Sequence, residues 1–238
     1  MTGGAQRIGR EIVFELHRRG FCVLLHYRSS AAAAHEVQAV LNSRREASCE
    51  LVQGGLDTDA EVMALVAQVE RLSDSLDLLV NNASGFEPTP IVDCTPAGFD
   101  AMMTSNLRGP YFLIQGLLPL LRATGGTIVN IVDVHVDRPL RDFNVYGAAK
   151  AGLASLTRSL ALELGPEIRV NGVAPGAILW PDDDVAYDDE TRDQTIAQTP
   201  LKRMGEPQDI ASTVAFLAEN APFITGQIIA VDGGRSLA

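Results

Sequence analysis

"TGGAQRIGREIVFELHRRGFCVLLHY", residues 2–27, contains the local features that decide the fold. A glycine-rich loop over 2–9 leads directly into an amphipathic helix predicted over 9–19, and a short apolar strand predicted over 21–27 follows. Glycines let the backbone approach a pyrophosphate closely, and a helix N-terminus supplies amide groups and positive potential. The stretch therefore indicates a dinucleotide-binding loop, although such a loop on its own is also compatible with an ordinary tight turn.

Short β-rich segments and amphipathic helices continue to alternate along the rest of the chain. Continuous apolar runs bounded by Gly, Asn, Asp or Pro are typical of strands that are covered on both faces. Strict alternation implies right-handed βαβ units, so the predicted fold class is α/β with a doubly wound parallel sheet. The predicted strands cover 21–27, 49–53, 76–82, 126–132, 168–175 and 227–234, and the predicted helices cover 9–19, 31–45, 58–72, 96–122, 146–164 and 206–219.

Length and composition fit a single domain over 1–238, with a substrate loop containing a short helix at about 177–203. The net charge of −11 argues against a nucleic-acid or anionic-membrane surface, because either would need a basic face. The three cysteines are odd in number and far apart, which favours reduced thiols in a cytoplasmic protein. No apolar stretch is long enough for a membrane span, and the four histidines have no metal-ligand spacing.

The position of the glycine loop is unusual for this fold class. Such a loop should follow a buried strand at the centre of the sheet, but only Met1 precedes it. We therefore expect the first strand to be missing before Met1, and several more apolar residues to precede Met1 in the natural protein.

The residues after the strand over 21–27 predict the cofactor. An acid at this place would bind a ribose 2′-hydroxyl, whereas Arg28, Ser29 and Ser30 suit a 2′-phosphate. The alternative is a solvated arginine beside a serine that caps a helix. Because the position is tied to the end of a strand, the sequence favours NADPH.

Tyr146 and Lys150 are four residues apart and lie on one face at the start of a predicted helix. An ammonium group near a phenol lowers the phenol's pKa, so we expect this pair to make Tyr146 a usable general acid. The alternative is an ordinary surface pair, which is common for this spacing alone.

Several motifs together resemble those of short-chain dehydrogenases/reductases: "TGGAQRIG", "LLVNNAS", "SNLRGPYF", "YGAAKAGLASLTRSLALEL" and "IRVNGVAPG" occur in the order typical of that family. The resemblance implies a Rossmann-type three-layer α/β/α sandwich, a homotetramer, and a catalytic set of Asn, Ser, Tyr and Lys. The matching residues are Asn106, Tyr146 and Lys150, and Asp133 stands at the serine position. The implied cofactor-binding residues are Gly3, Arg7, Ile8, Tyr27, Arg28, Ser29, Ser30, Asn82, Ala83, Ser84, Tyr146, Lys150, Pro175 and Gly176.

The departure at Asp133 narrows the resemblance to pteridine and dihydromonapterin reductases. They are similar in having an arginine in the glycine loop, here Arg7, an "NNASGFEPTP"-like segment, here 81–90, and an acid thirteen residues before the tyrosine. The resemblance implies that Phe86 stacks on a pterin, and that Arg7 and Ser84 make polar contacts with the substrate. Asp133 and Tyr146 complete the implied substrate site.

Chemistry agrees with this interpretation of Asp133. A carboxylate would repel the alkoxide that develops in a carbonyl reductase, whereas a pterin receives hydride at a ring carbon and a proton at a ring nitrogen. The leading hypothesis is NADPH-dependent reduction of a dihydropterin to a tetrahydropterin, with dihydrofolate as a further substrate and a role in folate metabolism. The alternatives are a carbonyl reductase acting on 3-oxoacyl or sugar substrates, and a non-catalytic NADP(H)-sensing protein.

Overall fold

Short parallel strands alternate with helices throughout the part of the chain described by the computed structural model, residues 1–180 and 188–237. The strands are β1 Val23–Tyr27, β2 Cys49–Gln53, β3 Leu78–Asn81, β4 Thr127–Ile131, β5 Arg169–Pro175 and β6 Ile228–Val231. The α-helices are α1 Arg7–Arg18, α2 Ala31–Arg44, α3 Asp59–Leu72, α4 Pro96–Met103, α5 Gly109–Arg122, α6 Asn144–Leu164, α7 Asp189–Gln198 and α8 Pro207–Glu219. The predicted α/β class is confirmed.

All strand pairs among the described residues are parallel, as the alternation predicted. The backbone hydrogen bonds divide the strands into a pair, β1 with β2, and a sheet in the order β3-β4-β5-β6. The strand order thus reverses between β1 and β3. In doubly wound sheets, ligands bind in the crevice beyond the carboxyl ends of the strands at such a reversal.

Helices cover both faces of the sheet, and β4 illustrates how. Ile128 packs into one apolar cluster with Leu65 of α3 and Leu113 of α5. The next residue, Val129, packs into a second cluster with Ile12 of α1 and Ile210 of α8. Because successive side chains of a strand point to opposite faces, both faces of β4 are buried, and its polar Asn130 hydrogen-bonds to Asn81 and Thr157 inside the protein. This is why β4 has no polar face toward solvent.

Met1 and Thr2 form the only bridge that the backbone hydrogen bonds show between the two groups of strands in the described part of the chain. The amino group of Met1 donates to the carbonyl of Leu24 at 3.0 Å, and the Met1 carbonyl accepts from the amide of His26 at 3.0 Å. The amide of Thr2 donates to the Val80 carbonyl at 3.0 Å. These two residues therefore occupy the end of a strand position between β1 and β3.

A cavity of about 630 Å³ continues this strand position toward the amino ends of β1 and β3. Leu24 and Leu78 lie on its two sides, and Phe21 and Leu72 contribute further apolar surface. Burial lowers the pKa of the Met1 amino group to about 6. The cavity coincides with the place where the sequence predicts a missing strand.

The helix predicted over 96–122 is divided into α4, a π-helical turn over Thr104–Arg108, and α5. The Asn106 side-chain amide donates to the carbonyl of Met102 at 3.0 Å. In an α-helix, the backbone amide four residues later would bond that carbonyl. The side chain takes this acceptor, and the ladder widens locally; such π turns are frequent at functional sites. No helix among the described residues is long and apolar enough to span a membrane.

Candidate functional site

The glycine loop approaches the neighbouring strands so closely that side chains are excluded. A Cβ on Gly9 would lie 2.1 Å from the carbonyl oxygen of Gly3 and 2.7 Å from the side-chain nitrogen of Asn82. Gly3 has a φ of 60°, in the left-handed region that favours glycine. Helix α1 begins at Arg7, and the side chain of Gln6 makes no capping hydrogen bond. The first backbone amides of α1 therefore have no cap from Gln6. A helix N-terminus that binds an anion needs such uncapped amides.

The His26 side chain hydrogen-bonds to this loop, a role that the sequence did not predict. Its Nδ1 accepts from the amide of Gly3 at 3.2 Å, so Nε2 carries the proton and donates to the Gly54 carbonyl at 3.0 Å. Burial lowers the pKa of His26 to about 4. The neutral imidazole thus connects the glycine loop on one side with the end of β2 on the other.

A cleft of about 770 Å³ extends along the loop and the carboxyl ends of β1, β2 and β3. It contains most of the cofactor-binding residues expected from the sequence. These are Gly3, Arg7, Ile8, Tyr27, Arg28, Ser29, Ser30, Asn82, Ala83 and Ser84. Its size, the glycine cradle and the uncapped helix fit the pyrophosphate and sugars of a dinucleotide.

At the adenosine end of this cleft, Arg28 forms an exposed ion pair with Asp57, with Nη1 3.1 Å from Oδ2. The carboxylate of Glu61 accepts from the amide of Thr58 at 2.9 Å and covers Gly55, where a Cβ would lie 2.4 Å from Glu61 Oε1. The carboxylate beside the end of β2 is therefore that of Glu61, a residue of α3. Glycine at position 55 leaves the space that this carboxylate fills.

Asp133 and Tyr146, which the sequence places thirteen residues apart, are in direct contact. The Tyr146 hydroxyl donates to Asp133 Oδ2 at 2.6 Å. The second carboxylate oxygen, Oδ1, accepts from the backbone amide of His135 at 2.8 Å and lies 2.6 Å from its Nδ1. Burial alone would raise the pKa of Asp133, but the hydrogen bonds and charge of His135 and the bond from Tyr146 hold it below its ordinary value. Asp133 is therefore a carboxylate with both oxygens engaged.

The expectation that Lys150 lowers the pKa of Tyr146 is wrong for this arrangement. Burial, and then the negative charge of Asp133, raise the pKa of Tyr146 well above its usual value. The ammonium group of Lys150 instead donates to the carbonyl of Ile131 at 2.8 Å and lies 5.8 Å from the centroid of the Tyr146 ring. Burial lowers the pKa of Lys150 to about 8, against the influence of Asp133. Tyr146 is thus a protonated donor held by a carboxylate.

Phe86 lies beside this pair, as expected from the sequence, but a second ring accompanies it. The rings of Phe86 and Phe143 are stacked, with centroids 4.4 Å apart, and Phe86 meets Tyr146 edge to face at 4.9 Å. Phe86 is 39% exposed. A flat substrate can stack on Phe86 only on the face away from Phe143, or by displacing Phe143. Sequence reasoning missed Phe143, which only its place just before α6 could have indicated.

The other predicted residues lie around this centre. Asn106 is buried and donates to the carbonyl of Gly85 at 3.0 Å, while its Oδ1 has no partner within the described residues. Pro175 ends β5, and the amide of Gly176 donates to the Val231 carbonyl at 3.0 Å. No hydrogen bond among the described residues joins Asn106 directly to Tyr146 or Lys150.

Arg7 connects the glycine loop to the predicted substrate loop. Its Nη2 donates to the backbone carbonyl of Trp180 at 3.1 Å, and the Trp180 ring lies under the guanidinium of Arg192 at 5.7 Å. Arg7 has a φ of 53°, an uncommon conformation for a residue with a side chain. The predicted short helix of the substrate loop is α7, and residues 181–187 of that loop lie outside the described part.

Comparison with known proteins indicates that the chain is an oxidoreductase. Residues 3–236 match a family model described as enoyl-(acyl carrier protein) reductase. Pteridine reductase 1 of Leishmania tarentolae is 36% identical over 278 residues, covering 100% of this chain and 95% of that protein. The 3-oxoacyl-[acyl-carrier-protein] reductase FabG of Staphylococcus aureus (strain Mu50) is 38% identical over 239 residues, covering 98% and 96%. Overall identity therefore does not separate the two substrate classes.

Proposed function

Because the chain belongs to the short-chain dehydrogenase/reductase family of oxidoreductases, we propose that it is an NADPH-dependent pterin reductase. It would convert a dihydropterin to a tetrahydropterin and accept dihydrofolate as a second substrate. The observation that carries this proposal is the carboxylate of Asp133, 2.6 Å from the Tyr146 hydroxyl. Bound NADPH would supply hydride from its nicotinamide ring.

The carboxylate disfavours the alternative of a simple carbonyl reductase. In such a reaction, an oxyanion would form beside Tyr146 and therefore close to Asp133, where two negative charges repel each other. Reduction of a ring C=N bond produces no oxyanion, because the charge would develop on a nitrogen that is basic enough to be protonated before or with hydride transfer. The similarity to FabG keeps the 3-oxoacyl alternative testable.

An absorbance assay with NADPH distinguishes the candidates. We expect oxidation of NADPH with dihydrobiopterin, slower oxidation with dihydrofolate, and little with a β-ketoester. Rapid turnover of the β-ketoester without turnover of either pterin would replace the proposal with the carbonyl-reductase alternative. Absence of turnover with all three, although NADPH binds, would favour the non-catalytic alternative.

Preference for NADPH rests on Arg28, whose side chain is 68% exposed at the cleft and can exchange Asp57 for a 2′-phosphate. Arg28→Ala should raise the KM for NADPH by about ten- to a hundredfold, the usual worth of a charge-assisted hydrogen bond, and change the KM for NADH little. Steady-state kinetics with both cofactors measure this difference. Arg122→Ala, which removes a comparable surface ion pair with Glu167, is the matched control. Equal effects of Arg28→Ala on both cofactors would contradict the preference.

Phe86→Ala should weaken pterin turnover through loss of the stacking surface. Aromatic stacking contributes about 0.5–1.5 kcal/mol beyond area burial, so the KM for dihydrobiopterin should rise about two- to tenfold or more. The dissociation constant of NADPH, measured by fluorescence, should change little. Met63→Ala removes an apolar side chain that is 71% exposed and serves as the control. Normal reduction of dihydrobiopterin by Phe86→Ala would exclude stacking on this ring.

The homotetramer also remains part of the proposal. Leu162 is 87% exposed and Phe223 102% exposed, and exposed apolar side chains of this size suit contacts between subunits. Sedimentation equilibrium measures the assembly directly, and a monomer at micromolar concentration would exclude it.

A further inference from the structure

His135 extends the Tyr146–Asp133 pair toward solvent. Its Nδ1 lies 2.6 Å from Asp133 Oδ1, and the Tyr146 hydroxyl lies 2.6 Å from Asp133 Oδ2. The His135 side chain is 23% exposed, whereas Tyr146 is 5% exposed. We propose that His135 supplies, through Asp133, the proton that restores Tyr146 after each turnover. This inference rests on the proposed reductase function and names a residue that the function itself does not require.

The local backbone explains why the imidazole reaches the carboxylate. Asp133 is extended and caps the short 3₁₀ turn Val134–Val136, so its Oδ1 accepts the amide of His135 at 2.8 Å. The same turn brings the His135 ring onto that oxygen and leaves Oδ2 for Tyr146. Because an ionised carboxylate only accepts hydrogen bonds, Nδ1 must carry a proton. The proton that can move therefore already lies on the bond between His135 and Asp133.

The negative charge left on Tyr146 makes a second proton transfer, to Asp133, necessary. When Tyr146 gives its proton to a ring nitrogen, the phenolate is left 2.6 Å from the carboxylate of Asp133. Two negative charges at that distance in a buried site repel each other strongly. Burial raises the pKa of Tyr146, and the negative charge of Asp133 raises it further. Protonation of Asp133 from its other oxygen removes the repulsion.

The charged groups that face Asp133 come from two elements. His135 belongs to the 3₁₀ turn, and Tyr146 and Lys150 belong to α6. Lys150 is 3% exposed and its ammonium group donates to the Ile131 carbonyl, so it has little direct exchange with water. His135 is the more exposed of the two cations that can face the carboxylate. It therefore gives the shorter path for a proton from solvent.

The protons balance over one turnover. Tyr146 Oη loses one proton to the substrate nitrogen, and the carboxyl of Asp133 returns one to Oη. Asp133 receives its proton at Oδ1 from Nδ1 of the doubly protonated His135, which becomes a neutral imidazole with its proton on Nε2, and the carboxyl then turns so that its proton faces Oη. The imidazole then recovers a proton from water. The net result is one proton moved from solvent to substrate, together with the hydride, and no other oxidant or reductant is needed. His135 acts through Asp133 and is a positioning and proton-supplying residue.

Two substitutions separate proton supply from orientation. His135→Asn retains an N–H that can hold Asp133 Oδ1 but cannot transfer its proton, and His135→Ala removes the group. Both should lower kcat about a hundredfold or more, within the range for assisted proton transfer, with an unchanged KM for NADPH. Added imidazole should restore His135→Ala but not His135→Asn, whose side chain fills the site.

Exposed His35 provides the control, because His35→Ala should change neither kcat nor the response to imidazole. A wild-type kcat in His135→Asn would overturn the inference and leave His135 as an orienting group only. Loss of kcat in His135→Ala without rescue by imidazole, and with a retained kcat in His135→Asn, would lead to the same conclusion. A wild-type protein that reduces a carbonyl but no pterin would refute the proposed function separately, and the same variants can then be tested on that carbonyl.

Discussion

Asp133→Ser should lower kcat for dihydropterin reduction by about 10²–10⁴-fold, the usual contribution of a general acid. The physical reason is that a serine cannot take up a proton and return it to the Tyr146 hydroxyl, which donates to Asp133 Oδ2 at 2.6 Å. Asp133→Asn should lose activity as well, because an amide does not pass on a proton. Single-turnover measurements at saturating NADPH separate this loss from any change in cofactor binding.

The neighbouring Asp137 is exposed and provides the matched control, so Asp137→Ser should retain kcat. The serine variant at position 133 should also gain some activity on a simple carbonyl, since the charge that opposes an oxyanion is gone. Reduction of dihydropterin at the wild-type rate by Asp133→Ser would mean that Asp133 only accepts hydrogen bonds from its neighbours. The pterin assignment would then depend on Phe86 and Arg7.

The second large effect concerns the gap between β1 and β3. A version of the chain extended by about five apolar, β-branched residues before Met1, the usual length of a strand, should be more stable than the chain beginning at Met1. The added strand would fill the cavity of about 630 Å³ and pair with both edges. Each well-buried apolar side chain contributes about 1.5–3 kcal/mol, offset by about 1–2 kcal/mol for each ordered backbone residue.

The amino group of Met1 makes the stability of the folded chain depend on pH. Its pKa is about 6 in the folded chain and 8.0 as an ordinary amine, so the unfolded chain binds more protons between these values. Stability therefore rises with pH through this window, and the full cost of about 3 kcal/mol is present below pH 6. An extension turns the amine into an amide and removes this cost. Thermal unfolding at pH 5.5 and pH 8.5 measures both contributions.

An extension of equal length made of Gly and Ser is the control for that experiment. It removes the charged amine but adds no apolar side chains, so only the pH-dependent part of the gain should remain. If the Gly–Ser and apolar extensions melted at the same temperature, the cavity would not be a strand position.

The elements of the fold could be predicted almost to their ends, because each depends on local patterns. The strand predicted over 49–53 agrees with β2, and the helix predicted over 58–72 begins one residue late, at Asp59, after the cap Thr58. The helix over 96–122 was the exception. Its apolar pattern continues through Asn106, but the side chain competes with the backbone for the Met102 carbonyl. A periodic pattern of hydrophobicity carries no signal for that competition.

The sequence by itself determined the α/β class, the glycine loop, the spacing of Tyr146 and Lys150 along one helix face, and the acid at position 133. These features depend on residue type and on distances along the chain, which the periods of helix and strand convert directly into space. The tertiary structure alone decided that His26 holds the loop, that Phe143 covers Phe86, and that Asp133 raises the pKa of Tyr146. The reason is that such contacts depend on side-chain rotamers and burial. A pKa in particular follows burial first and then the nearest charge, and Tyr146 is buried beside Asp133.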